Sequence, residues 1–210
     1  RRHQSVRNQT FKRIQVTIST MSSLLSKVLR FKSPSILVIG DYMLDEIVFG
    51  DAERLSPDAP VPVLEMRNVQ SRAGGAGNVA RCLIAMGARV ECLGIVGNDK
   101  EGELLSQLLN SEGISTANLL QVDGRPTTLK RSIVGLAQHR HPQKMFRIDQ
   151  ESREPIQPQY ADQLLNALNE KLQQVDINTQ LDGVWFYDIC NLSDQIQQKQ
   201  DITTNKLFSK

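Results

Sequence analysis

Four consecutive large aliphatic residues, Ile36-Leu37-Val38-Ile39, run into Gly40-Asp41, and few folds accept that pattern. The run is short and apolar on both alternations. It predicts a strand over 35–40 buried on both faces, as in a parallel sheet covered by helices. The rest of the chain agrees. Residues 77–86 predict a helix stopped at Gly87. Residues 100–112 predict a second, with Leu104, Leu105, Leu108 and Leu109 on one stripe and Gly113 after it. Residues 159–175 predict a third, built on Leu164, Leu165, Leu168 and Leu172. Segments 89–96, 119–122 and 183–187 read as strands between or after these helices. Such alternation indicates an α/β fold with a mostly parallel sheet.

Four further β segments break the rhythm: 47–50, 61–66, 128–134 and 144–148. No helices separate them within each pair, so they predict a small β appendage beside the α/β body. Ser56-Pro57-Asp58-Ala59-Pro60 reads as a turn, because two prolines oppose a helix. Ser71–Gly75 reads as a loop.

Charge is distributed unevenly. Residues 1–33 hold eight Lys or Arg and no acid, which leaves 17 basic against 23 acidic side chains in the remainder, a balance of −6. The mildly acidic body argues against nucleic acid as the main partner. Residues 1–32 are expected to be a basic leader with a short amphipathic helix over 21–31. A targeting segment and a nucleic-acid or membrane arm are rival readings of it. No apolar run approaches the length of a membrane span, so no membrane partner is expected. Cys82, Cys92 and Cys190 lack paired spacing and read as reduced thiols, with Cys82 and Cys92 expected to be buried. His139 and His141 have no Cys or carboxylate at ligand spacing, so a surface loop explains them better than a metal.

The chemistry-bearing residues cluster after the first strand. Asp41 and Asp45 stand where a carboxylate can accept hydrogen bonds from two hydroxyls of a polyol; a loop-capping role is the alternative for Asp41. Gly74-Gly75-Ala76-Gly77-Asn78 combines close backbone approach with a helix N-terminus and an amide. Gly75, Gly77 and Ala80 match the dinucleotide-binding spacing, but they do not directly follow the first strand. Lys130, Arg131, Arg147 and Asp149 bring charge to the β appendage. Lys or Arg there could neutralise a substrate phosphate, whereas alternation would turn some of them, Arg131 in particular, to solvent. Asp188 stands beyond the strand 183–187 as either a site edge or a turn residue. The P-loop, His-Glu-x-x-His and Gly-x-Ser-x-Gly signatures do not occur.

Read in order, these segments resemble a known family. Ile36–Asp45, the string Glu53-Arg54-Leu55-Ser56-Pro57-Asp58-Ala59-Pro60-Val61-Pro62-Val63, and Gly74-Gly75-Ala76-Gly77-Asn78 are similar to the ribokinase-like carbohydrate kinases (PfkB family). Gly94–Asp99 with Gly102, Pro126–Lys130 and Phe146–Asp149 continue the likeness. The Ser-Pro-Asp-Ala-Pro-Val-Pro-Val string points within it to the heptose 7-phosphate kinases. The resemblance implies an incomplete ribokinase-like three-layer α/β sandwich over 33–210, with a β lid from about 46–67 and 127–149. It implies ATP and Mg²⁺, and phosphorylation of D-glycero-β-D-manno-heptose 7-phosphate at its anomeric hydroxyl toward ADP-heptose and lipopolysaccharide. By matched positions Asp45, Gly74, Gly75 and Asn78 would hold the sugar, with Lys130 and Arg147 near the sugar or its phosphate. A homodimer through the lid and a cytoplasmic location are further implications. The family's later Gly-Ala-Gly-Asp segment does not occur in the sequence, and Ile189-Cys190-Asn191 stands where its Gly-Lys-Gly would. No catalytic base is therefore assigned, and the chain alone is expected to have little or no kinase activity. The alternative is a non-catalytic sugar-phosphate-binding or dimerising remnant.

Overall fold

The computed structural model describes residues 33–136, 141–173 and 183–186. The expectations for 1–32, His139, Asp188 and Cys190 lie outside the described residues. In chain order the elements are β1 (Ser35–Ile39), β2 (Tyr42–Leu55), β3 (Pro62–Gly75), α1 (Ala76–Ala85), β4 (Arg89–Gly97), α2 (Lys100–Ser111), β5 (Ser115–Val122), β6 (Thr128–Leu136), β7 (Gln143–Gln150), α3 (Pro158–Gln173) and β8 (Gly183–Phe186).

The strands form two four-stranded sheets, ordered β5-β4-β1-β8 and β3-β2-β6-β7. Every pair in the first sheet is parallel. β1 explains the layering. Its alternating side chains leave the sheet on opposite faces. Val38 joins a core with Ala76 and Ala80 of α1 and Leu105 and Leu109 of α2. Leu37 and Ile39 join a second core with Ala161, Leu164 and Leu168 of α3. Helices thus cover both faces and make three layers. Burying each such leucine contributes about 1.5–3 kcal/mol. Two ion pairs add to the packing: Arg81 of α1 with Glu112 just beyond α2 joins the two helices of one layer, and Lys171 of α3 with Glu91 of β4 joins helix to sheet, both at 2.6 Å.

The second sheet is mixed. β2 pairs antiparallel with β3 and parallel with β6, and β6 pairs antiparallel with β7. Here the structure corrects the sequence. Segment 47–50 is part of a 14-residue strand, and all of 61–66 but Val61 belongs to another of the same length. Register shifts at Phe49/Gly50 and Asp51/Arg54 interrupt their ladder. Ser71–Gly75, expected as a loop, is the end of β3 and pairs with Tyr42–Glu46. The glycine-rich segment therefore does follow a strand. That strand is antiparallel and outside the parallel sheet, so the dinucleotide geometry remains excluded.

Cys92 is buried, and burial pushes its thiol up to about 11. Cys82 is exposed, against expectation. The inward stripe of α1 is Ala76 and Ala80, and a residue two positions further on turns away from it.

Candidate functional site

Three chain crossings between the two sheets lie together and build the site. At Gly40-Asp41 the chain leaves the carboxyl end of β1 and becomes β2. At Gly75 it leaves β3 and becomes α1. At Arg125-Pro126-Thr127 it enters β6. The first two are bonded directly, since Ala76 N–H donates to the Asp41 carbonyl at 2.9 Å. Gly75 has φ +56°, in the left-handed region that a side chain disfavours. A Cβ on it would also meet the Asp41 carbonyl oxygen.

The third crossing is held by Asp99. One carboxylate oxygen accepts from the Gly102 N–H at 2.8 Å, capping α2, and from the Thr127 hydroxyl at 2.6 Å. The other accepts from the Thr127 N–H at 2.7 Å. Thr127 Oγ1 in turn accepts from the Gly97 N–H at 2.8 Å, and Thr127 is 1% exposed. Burial alone would raise the Asp99 pKa, but the hydrogen bonds from Thr127 and Gly102 outweigh it and hold the carboxyl below its ordinary value.

Register then decides which side chains share a face. Arg72, Asp45, Lys130 and Asp149 are direct partners across β3, β2, β6 and β7, so they form one rung on one face of the second sheet. Gly74, Met43 and Thr128 form the rung beside it, nearer the parallel sheet. Gln70, Ile47, Ser132 and Arg147 form the rung beyond. The Asp45 carboxylate lies over Gly74: a Cβ there would stand 2.7 Å from its Cγ.

Two openings meet at this face. A cleft of about 370 Å³ is bounded by Asp41, Met43, Ile95, Thr128, Lys130 and Arg153, among others. A groove of about 300 Å³ is bounded by Asp45, Arg72, Lys130, Ser132, Lys144 and Arg147, among others. Lys130 borders both. A carboxylate that accepts from hydroxyls, beside cations that attract an anion, suits a ligand carrying both groups.

The expected site residues are thus only partly brought together. Asp45, Gly74, Lys130 and Arg147 share the face. Gly75 adjoins it as the residue before α1. Asn78 is exposed in the first turn of α1 and borders neither opening. Arg147 is held by Asp149 through two bonds of 2.6 and 2.7 Å, and that carboxylate raises its pKa above the ordinary arginine value. Arg131 faces the other way and donates to Glu46 at 2.6 Å. Sequence reasoning missed Arg72 and Lys144 as site residues, and Asp99 as the residue holding the entry to β6. Counting back by twos from Gly74 finds Arg72 once 71–75 is read as strand.

Comparison with known proteins identifies the family. Residues 33–179 match the pfkB family carbohydrate kinase. Over 147 residues the chain is 39% identical to the bifunctional protein HldE of Desulfatibacillum aliphaticivorans, covering 70% of this chain and 29% of that one. Over 141 residues it is 43% identical to HldE of Helicobacter pylori, covering 67% and 30%. The chain therefore spans about 30% of the length of the curated relatives it matches. A solved structure from Staphylococcus aureus, provisionally assigned as a phosphofructokinase, superposes with a TM-score of 0.52 at 20% identity, over 78% of this chain and 48% of that one. The fold is accordingly ribokinase-like, and the chain belongs to the pfkB family of carbohydrate kinases.

Proposed function

We propose that this chain carries the sugar-binding part of an ATP-dependent kinase acting on D-glycero-β-D-manno-heptose 7-phosphate, with the anomeric hydroxyl as acceptor. The observation that carries the reading is the Asp45 carboxylate, seated over Gly74 and in register with Lys130 at the junction of the two openings. Asp45 accepts from sugar hydroxyls, the backbone of Gly74 and Gly75 lines the approach, and Lys130 supplies positive charge. The 39–43% identity to HldE proteins supports the heptose substrate.

Phosphoryl transfer is mostly positioning and charge stabilisation, and the residues here position the acceptor. Magnesium would travel with the nucleotide phosphates. Among the described residues no group of three His, Cys, Asp or Glu could hold a metal ion, so no step is assigned to it. No helix among them is long and apolar enough to cross a membrane. A cytoplasmic location, and independence from nucleic acid, belong to the same proposal.

Titration calorimetry of the full chain with this heptose 7-phosphate tests the reading. Wild type is expected to bind, and Asp45→Ala to bind roughly 10- to 100-fold more weakly, the worth of a charge-assisted hydrogen bond or two. Equal affinity in the variant would remove Asp45 from the site. No binding by folded wild type would remove the heptose assignment.

The second sheet is proposed as a lid that also dimerises. On its other face Val69, Val48, Ile133 and Phe146 are direct partners across all four strands. Val69 is 42% and Phe146 55% exposed, and Ile148 in the neighbouring rung is 46% exposed. Val48 and Ile133 between them are buried, and the exposed apolar residues at the two edges fit burial against a second copy. Sedimentation is expected to give twice the chain mass for wild type and a single-chain mass for Phe146→Asp. A monomeric wild type would end the dimer proposal.

A further inference from the structure

The second sheet returns to the parallel body through a fourth crossing, residues 151–157 between β7 and α3. This crossing is pinned at both ends. Gln150 pairs with Leu129 of β6, and Ile156 is buried in the core it shares with Leu164 and Leu168 of α3. Between the pins, Ser152–Glu154 make no backbone–backbone hydrogen bond among the described residues. They form only a local turn, in which the Ser152 hydroxyl accepts from the Glu154 N–H at 3.3 Å. Arg125 ties this stretch to the rest of the fold. Its guanidinium donates to the Glu154 carbonyl at 2.8 Å through Nη1 and to the Ser152 carbonyl at 3.4 Å through Nη2. Arg125 is itself anchored. A Cβ on Gly97 of β4 would meet the Arg125 carbonyl oxygen, and Thr127, two residues on, is held by the Asp99 carboxylate. A seated, planar pair of donors thus spans two carbonyls of a stretch that has no ladder of its own. The stretch faces the site, because Glu151, Ser152 and Arg153 bound the same cleft of about 370 Å³ as Thr128 and Lys130.

We infer that Arg125 is a positioning residue for the acceptor sugar: it clamps the crossing from β7 to α3 so that Glu151–Arg153 stand as a preformed wall of the cleft. The inference rests on the sugar-kinase reading and deepens it. Without the clamp, the wall would have to be ordered when the sugar binds, and that ordering would weaken affinity. With it, the sugar beside Lys130 meets backbone already in place. The fork matters as well as the charge. Two guanidinium nitrogens reach two carbonyls at once, which a single ammonium does less well.

The test follows the backbone amides of the isotope-labelled full chain, with and without D-glycero-β-D-manno-heptose 7-phosphate. In the free chain, Arg125→Ala is expected to lower the relaxation order parameters of residues 151–154 and to leave those of β7 and α3 unchanged. With the sugar, wild type is expected to show shifts at 151–153 as well as at Asp45 and Lys130. The variant is expected to bind roughly tenfold more weakly and to lose the shifts at 151–153 while keeping the others at saturation. Arg125→Lys is expected to recover only part of the affinity. Unchanged order at 151–154 in Arg125→Ala overturns the inference. So does an even loss of every shift at saturation, which general destabilisation would give. Full recovery by lysine also overturns it, since charge alone would then explain the effect. If wild type binds no sugar, the heptose reading fails by itself, and the free chain still decides the clamp: loosening confined to 151–154 supports it, and its absence ends it.

Discussion

Gly74→Ala is expected to remove most of the affinity for the sugar while leaving the fold almost as stable as before. A methyl at this position would stand 2.7 Å from Cγ and Oδ2 of Asp45 and 2.8 Å from Oδ1, closer than such atoms approach. One partner must give way. The β3 backbone is held by its pairing with β2 on both sides of Gly74. Among the described residues the Asp45 side chain has only a loose approach to Arg72 at 3.9 Å, between partly exposed groups, which is worth little. The carboxylate therefore moves. Gly74 does not have positive φ, so alanine itself is tolerated and the stability change should stay within about 1 kcal/mol. The affinity loss should match that of Asp45→Ala, roughly 10- to 100-fold. The two changes should not add when combined, because they remove the same contact. Additive losses, or a large drop in stability, would mean that Gly74 serves packing rather than the site.

The parallel sheet and its helices were legible because their signals are strong and local. Val38 against Leu37 and Ile39 states both faces of β1 in three letters, and Gly87 and Gly113 mark the helix ends, each with positive φ. The second sheet was harder to read for a physical reason. On the face that carries Asp45, the β3 residues Gly74, Arg72, Gln70 and Asn68 are polar or small, and they alternate with residues that are not uniformly apolar either. Ser71, opposite Glu46, is one of them. Ser71–Gly75 consequently has loop composition and strand geometry. That one misreading hid Arg72, whose place beside Asp45 follows from pairing rather than from sequence. Lys144 was hidden by the register shift between Ile133 and Val134, which no local pattern announces. The resemblance to known kinases marked Asp45 and Lys130 as separate motifs 85 residues apart; pairing showed that they are immediate neighbours.

Asp99→Ala is expected to cost about 2–4 kcal/mol of stability, the sum of a lost helix cap and a lost pair of hydrogen bonds to a buried threonine. The Thr127 N–H would then have no acceptor in a site that is 1% exposed, and the entry to β6 would loosen three residues before Lys130. Sugar affinity should therefore fall as well, although Asp99 borders neither opening. The pH dependence distinguishes this role from general packing. The folded pKa of Asp99 lies below its ordinary value of 3.8, so its contribution is fully present above about pH 4 and is lost as pH falls through the lower folded value. Urea unfolding of wild type and variant should show the full gap at pH 7 and a narrower one near pH 3. Asp99→Asn keeps a cap acceptor but cannot ionise, so it should fall between the two at pH 7 and lack this acid limb. A gap of the same size at both pH values would show that the Asp99 charge does not hold the crossing into β6.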